Sequence, residues 1–310
     1  MDNIAHLFDS LSINDHHNHL HKYIHSLNAT LDKIVIAQAA LDATLVKINK
    51  AQSKLDNTLL KINTQKGAMC SISGNAYEHN VHSVVKDCFI HDERLNTQSA
   101  SDLAGSSSKN DLVCHYKSID FGVEVKKAKT PDWMQCSIKF CHDSHSWTPT
   151  NGKIPHECRH IFKTLINSLD LFGGEIPPFM KKPLTHDEWS YIKSSTNKWN
   201  DSYIDSPSDT IRNLYAAKGC KYIQISDGYG LYHLGHDSCS FGVPVFQLKQ
   251  RLRIRTKVHS RSNKHGHCNL SVTVACQPFD ISHIQPSPFS LDNSNKLPDN
   301  ICYLPQNHDL

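Results

Sequence analysis

Asp111-Leu-Val-Cys-His-Tyr116, a polar turn at Lys117-Ser118, and Phe121-Gly-Val-Glu-Val-Lys126 decide how this chain is read. Both flanks of the turn alternate apolar and polar residues, the period-two pattern of half-buried strands. On the second strand Glu124 and Lys126 share one face, and Val123 and Val125 share the other. On the first, Asp111 shares a face with Val113 and His115. Folded as a hairpin, the two strands bring Asp111 opposite the Glu124–Lys126 end. Two carboxylates and one ammonium then meet at one point on the sheet surface. Such a set suits a hard, oxygen-seeking cation, with a lysine beside it to position and polarise a water.

Asp111 followed by Glu124-x-Lys126 resembles the PD-(D/E)XK nuclease superfamily, over roughly residues 74–140. Asn110 stands where that pattern has proline. The resemblance implies an α+β, restriction-endonuclease-like core, a mixed β-sheet flanked by helices. It further implies DNA as substrate and Mg²⁺ as cofactor, with Mn²⁺ able to substitute. Asp111 and Glu124 would hold the metal, Glu78 on a preceding helix would assist, and Lys126 would be catalytic. In relatives a glutamine often follows the E-x-K strand, which makes Gln135 a further candidate.

Working outward, the N-terminal part carries the second signal. Residues 1–26 are polar and rich in histidine (His16, His17, His19, His21 and His25), without the spacing of a structural zinc site. From Ile24 to Ile62, core positions recur at alternating steps of three and four: Ile24, Leu27, Leu31, Ile34, Gln38, Leu41 and onward through Leu55 and Leu59. This is a heptad pattern. A 14-residue repeat is superimposed, opening at Leu27-Asn-Ala-Thr, Leu41-Asp-Ala-Thr and Leu55-Asp-Asn-Thr. A helix of this length reaches about 55 Å at 1.5 Å per residue and needs a partner helix to cover its stripe. The expectation is a homo-oligomeric coiled coil through residues 24–62. Gln38 and Gln52 would occupy core positions, where buried polar groups fix register. Flanking positions are mainly Ala, Thr, Asp and Asn, so charge pairing does not choose the partner.

The pattern predicts a break at Gly67 and a new helix from Gly74 to Cys88, with Glu78 one turn in. Residues 96–110, rich in Ser, Asn and Gly, lead into Asp111 as a loop that includes Asp102. Cys141, His142, His145, His156, Cys158 and His160 match no familiar zinc spacing. Residues 155–219 read as helices. Ile161, Phe162, Leu165, Ile166 and Leu169 form a stripe ended by Gly173-Gly174, Thr185 and Glu188 form a capping box, and a third helix runs from Pro207 to Lys218 with Gly219 as its stop. Residues 220–276 return to strands. Arg251, Arg253, Arg255 and Lys257 alternate with Leu252, Ile254, Thr256 and Val258, and Arg261 follows. One strand face would present a row of cations roughly 6.6–7 Å apart, suited to tracking nucleic-acid phosphates.

Composition bounds the rest. Of 310 residues 38% are hydrophobic, low for a compact domain, and the net charge is +3, so any basic surface must be local. The expected division is a coiled-coil helix over 1–66, a nuclease-like domain over 67–285 and a loose Pro/Asn/Ser-rich tail over 286–310. Eleven scattered cysteines without a small-domain disulfide pattern, and no signal peptide, point to a reducing intracellular compartment. No apolar run approaches a membrane span. The leading expectation is restriction-type cleavage of double-stranded DNA. Alternatives are a recombination or repair nuclease that reads structure, or a coiled-coil stalk bearing a β-rich binding head.

Overall fold

The computed structural model describes residues 2–97, 110–130, 132–150, 152 and 154–305. The side chains of 2–16, 56, 57, 59–68, 70, 71 and 96 are not described. Expectations that rest on the Leu59 and Ile62 side chains, or on Asp102, therefore lie outside the described residues.

Helix α1 runs unbroken from Asp2 to Val85. The expected stop at Gly67 and restart at Gly74 do not occur. Glycine in a helix interior costs roughly 1 kcal/mol relative to alanine, which weakens a helix but does not end it where neighbours continue the pattern. The chain divides into two compact units, residues 1–69 and 70–310. The first is helix alone. The second takes the last turns of α1 and everything after.

In chain order the second unit contains β1 (Cys88–Ile90), β2 (Glu93–Arg94), β3 (Asn96–Thr97), β4 (Leu112–Tyr116) and β5 (Ile119–Lys126). Then come β6 (Met134–Cys141), β7 (Ser146–Pro149), α2 (His156–Asn167), α3 (His186–Thr196), β8 (Ser202–Ser206) and α4 (Thr210–Ala217). The chain continues with β9 (Cys220–Ile225), β10 (Gly230–His233), β11 (Gln250–Ser260), β12 (Asn269–Pro278) and β13 (Ile301–Tyr303). The class is α+β, as the sequence implied.

Three sheets result. The first has the order β3-β4-β5-β9-β10 and is mixed: β5 and β9 are parallel, and its other pairs are antiparallel. The second, β7-β6-β12-β11-β8, is antiparallel throughout. The third is the small sheet β13-β1-β2. The first sheet is covered on both faces. Val123, Val125, Tyr222 and Leu231 pack with Val81 and Val85 of α1 in one core. Ile223 and Ile225 of the opposite face join Tyr215 of α4, Phe162 of α2 and strands of the second sheet in another. Such two-sided burial is why β9 is buried at every position but Lys221, with Gln224 among the buried residues.

Two local expectations change. α2 ends at Asn167, short of the glycine pair; Gly173 and Gly174 instead supply positive φ in a short turn. The described part of the segment after residue 285, residues 286–305, is not a loose tail. β13 pairs with β1, Ser287, Ser290 and Leu291 are buried, and Leu231 N–H donates to the Phe289 carbonyl at 2.8 Å. Its composition lacks a strand signal, but its backbone groups find sheet and loop partners. The Thr185–Glu188 capping box forms as expected.

Candidate active site

The β4–β5 hairpin turns at Lys117 and Ser118, with Lys117 at φ 52°. Its register pairs Leu112 with Val123, so Asp111 falls beside Glu124. Val125 N–H and Lys126 Nζ both donate to Asp111 Oδ2, at 2.9 and 3.1 Å. Lys126 Nζ lies 2.6 Å from Glu124 Oε1. The hairpin therefore brings Asp111, Glu124 and Lys126 to one point.

A fourth member was not anticipated. Lys218, the residue that closes α4, donates to Glu124 Oε2 at 2.8 Å and stands 3.9 Å from Asp111 Oδ1. Each lysine thus bridges the same two carboxylates, through opposite oxygens. The four side chains close an alternating ring of two negative and two positive groups. Glu124 and Lys218 are each only 3% exposed. The sequence signal for Lys218 was slight: a lysine at a helix end, where the dipole favours any cation, just before a strand.

Local packing fixes the ring. Gly219 takes φ +96°, turning the chain from α4 into β9. Gly122 must be glycine, because a Cβ there would run into the Asn110 amide and lie 2.9 Å from the Gly219 carbonyl. Asn110 Oδ1 accepts from the Cys220 thiol at 3.2 Å. Asparagine in place of proline thus ties the start of β4 to the start of β9.

The electrostatics follow from burial and neighbours. Burial alone would push both lysines down, but the carboxylates override it and hold Lys126 well above, and Lys218 above, the usual lysine pKa. Burial would push Glu124 up, but Lys126 and then Lys218 hold it below the usual carboxylate range. Asp111 is pushed up, by burial first and by the Glu124 charge second. Glu78, in the last turns of α1, is pushed up to about 7 by burial and then by the Asp111 charge. Glu78 is thus within electrostatic reach of the ring, although no direct bond joins it.

Among the described residues, no group of three or more His, Cys, Asp or Glu side chains is arranged to hold a metal ion. This includes the Cys/His-rich stretch 141–160. Asp111 and Glu124 supply two hard carboxylates. Magnesium commonly takes one or two carboxylates and completes its shell with water and phosphate. Two carboxylates match the number that Mg²⁺ uses, but Asp111 Oδ2, Glu124 Oε1 and Glu124 Oε2 each already face an ammonium group, so a cation would have to displace a lysine from them.

The other candidates lie elsewhere in the second unit. Gln135 sits on β6 in the second sheet and accepts from Arg255 Nη2 at 3.1 Å, so it is not part of the ring. β11 alternates as expected, with Leu252 and Ile254 buried, but over Gln250–Ile254 it is flanked by β12 and β8 and is not an edge. Its arginines already have partners. Arg251 donates to Gln277 at 3.2 Å and lies over the Tyr203 ring at 4.3 Å. Arg253 pairs with Asp201 at 2.5 Å and with Asp132 at 3.4 Å, and Arg255 reaches Asp132 at 3.5 Å. Lys257 is exposed and Arg261 half-buried, and neither forms an ion pair among the described residues. Val258, expected to face the core, is 40% exposed.

No family model, curated protein or solved structure matches this chain. No helix among the described residues is long and apolar enough to cross a membrane.

Proposed function

We propose that this chain is a Mg²⁺-dependent DNA endonuclease, with Mn²⁺ able to substitute, that hydrolyses phosphodiester bonds of double-stranded DNA in the restriction-type manner. The observation that carries the reading is the convergence of Asp111, Glu124 and Lys126 on the central strand pair of a mixed sheet. Bound Mg²⁺ would supply charge neutralisation at the scissile phosphate and an activated water. Asp111 and Glu124 would hold the cation, and Glu78 would add a third carboxylate nearby. Lys126, bridging both acids, orients the attacking water and offsets the charge that grows on the phosphoryl oxygens. Lys218 keeps the Glu124 carboxylate ionised and in position. DNA contact is assigned to Arg251, Arg253, Arg255, Lys257 and Arg261. Lys257 and Arg261 are the readiest contacts, since the three arginines must trade existing partners for phosphates. Residues 24–62 make the protein a homo-oligomer, which suits cutting both strands.

A second reading rests on the ring itself. Two acids and two lysines are formally neutral, so the ring can serve as a buried ion network that ties β4, β5 and α4 together in a non-enzymatic binding head. Digestion of long linear DNA with Mg²⁺ separates the readings. Discrete ends support a restriction-type enzyme, a smear or cleavage confined to branched DNA supports a structure-reading nuclease, and intact DNA returns the chain to the binding-head reading.

A further inference from the structure

From Ile24 to Leu55, α1 turns an apolar stripe to solvent. The leucines and isoleucines at its three-four steps are between 46% and 65% exposed. An uncovered stripe of this length marks an interaction surface. Taking Ile24 as position a of the heptad puts Leu27 at d, and both Gln38 and Gln52 at a. The two glutamines are separated by the same fourteen residues that separate Leu27, Leu41 and Leu55.

We propose that the stripe is covered by a second copy of this chain, running parallel and in register. Parallel in-register helices stack each a position on its own counterpart. Gln38 then meets Gln38 of the other copy, and Gln52 meets Gln52, so each amide has an amide to bond. In an antiparallel pair each a position faces a d position. Both glutamines would then be buried against leucine or isoleucine, and each would forfeit its hydrogen bonds to water without replacement. A slip of one heptad sets the glutamines against apolar a positions. A slip of two heptads keeps one glutamine pair, strands the other residues and shortens the overlap.

The flanks agree. Thr30, Thr44 and Thr58 recur at g, beside the seam, and each hydroxyl donates to the carbonyl four residues earlier, at 2.9, 2.9 and 3.0 Å. These hydroxyls are satisfied within their own helix, so a partner can cover the threonine methyls without stranding a donor. The g positions between them, Ala37 and Ala51, are small, and the e positions Asn28, Val35, Asp42 and Asn49 carry one charge among four. Nothing at the seam's edge selects a different chain or the opposite direction. The consequence reaches beyond the nuclease reading and stands without it: both chains leave the coil at the same end, so two copies of residues 70–310 are delivered together.

Charge complementation in the full-length protein tests this, because Gln38 is exposed in the single chain and its replacement leaves the body untouched. Gln38→Lys and Gln38→Glu should each need at least tenfold higher concentration than the unaltered protein to associate in sedimentation velocity. An equimolar mixture of the two should associate as tightly as the unaltered protein. The pair Gln52→Lys with Gln52→Glu should repeat the rescue, and Gln38→Lys with Gln52→Glu should not. Failure of the same-position mixtures to associate, rescue by the crossed mixture, or a monomeric unaltered protein at micromolar concentration would each overturn the proposal.

Discussion

Glu124 is the residue on which the ring depends. It faces two ammonium groups while only 3% exposed, so its charge cannot be removed without consequence. Breaking one partner from a buried ion pair typically costs about 3–5 kcal/mol, because the other charge is left uncompensated. Glu124→Gln and Lys218→Met should each lower unfolding free energy by about that amount in chemical denaturation. The double variant should lose clearly less than the sum, since it removes a pair and not a partner. Additive losses would show that the two side chains do not interact. Glu78 makes a pH prediction. Its folded pKa, about 7, lies above the ordinary carboxylate value of 4.5. The folded state therefore binds more protons than the unfolded state between those values, and stability falls as pH rises through that window. Glu78→Gln should flatten this fall in pH-dependent thermal melts, and a saturating divalent cation should shift it to lower pH. At this scale Asp111, Glu124 and Lys126 were legible because a hairpin is local and its period-two pattern sets which side chains share a face. Lys218 was not, because the crossover that brings it back beside β5 leaves no pattern near either residue.

At the scale of elements, β11 shows how far alternation reads. The pattern Arg251, Arg253, Arg255 against Leu252 and Ile254 places the strand and its two faces correctly. It says nothing of Asp132 and Asp201, which sit on other segments and already engage the arginines. The salt dependence of DNA binding should reflect this. Lys257→Ala and Arg261→Ala should each lower the log–log salt slope by roughly 0.9, the value for one lost phosphate contact. Arg253→Ala should lower the slope less, because its phosphate contact competes with Asp132 and Asp201, and should also cost stability through loss of those ion pairs. Equal slopes for the unaltered protein and the Lys257/Arg261 double variant would remove this strand from the DNA surface. The C-terminal segment teaches the converse. Proline, asparagine and serine signal irregular chain, yet residues 287–303 are held by backbone bonds and by the buried Gln224 amide, which donates to Ser290 at 2.8 Å. Irregular is not the same as loose, and composition cannot separate the two.

For the whole molecule, the division at residues 69 and 70 makes a testable cut. The second unit keeps Tyr77, Val81 and Val85 of α1, which pack in its core, so a truncation must stop short of them. Removing residues 1–69 should yield a folded, smaller species by light scattering. It should still nick one strand, because each proposed ligand lies in the second unit, and it should lose coordinated cutting of both strands. Retained double-strand cutting by a monomeric truncation would separate the coil from function. The Asp111–Glu124–Lys126 convergence is proposed to cut DNA. Its most direct test is incubation of the full-length protein with supercoiled circular DNA, with and without Mg²⁺, beside an Asp111→Asn variant matched in fold by circular dichroism. The unaltered protein should convert the circles to nicked and then linear DNA only with Mg²⁺, and the variant should leave them supercoiled. Circles that stay supercoiled in both Mg²⁺ and Mn²⁺, or equal cleavage by Asp111→Asn, would contradict this assignment.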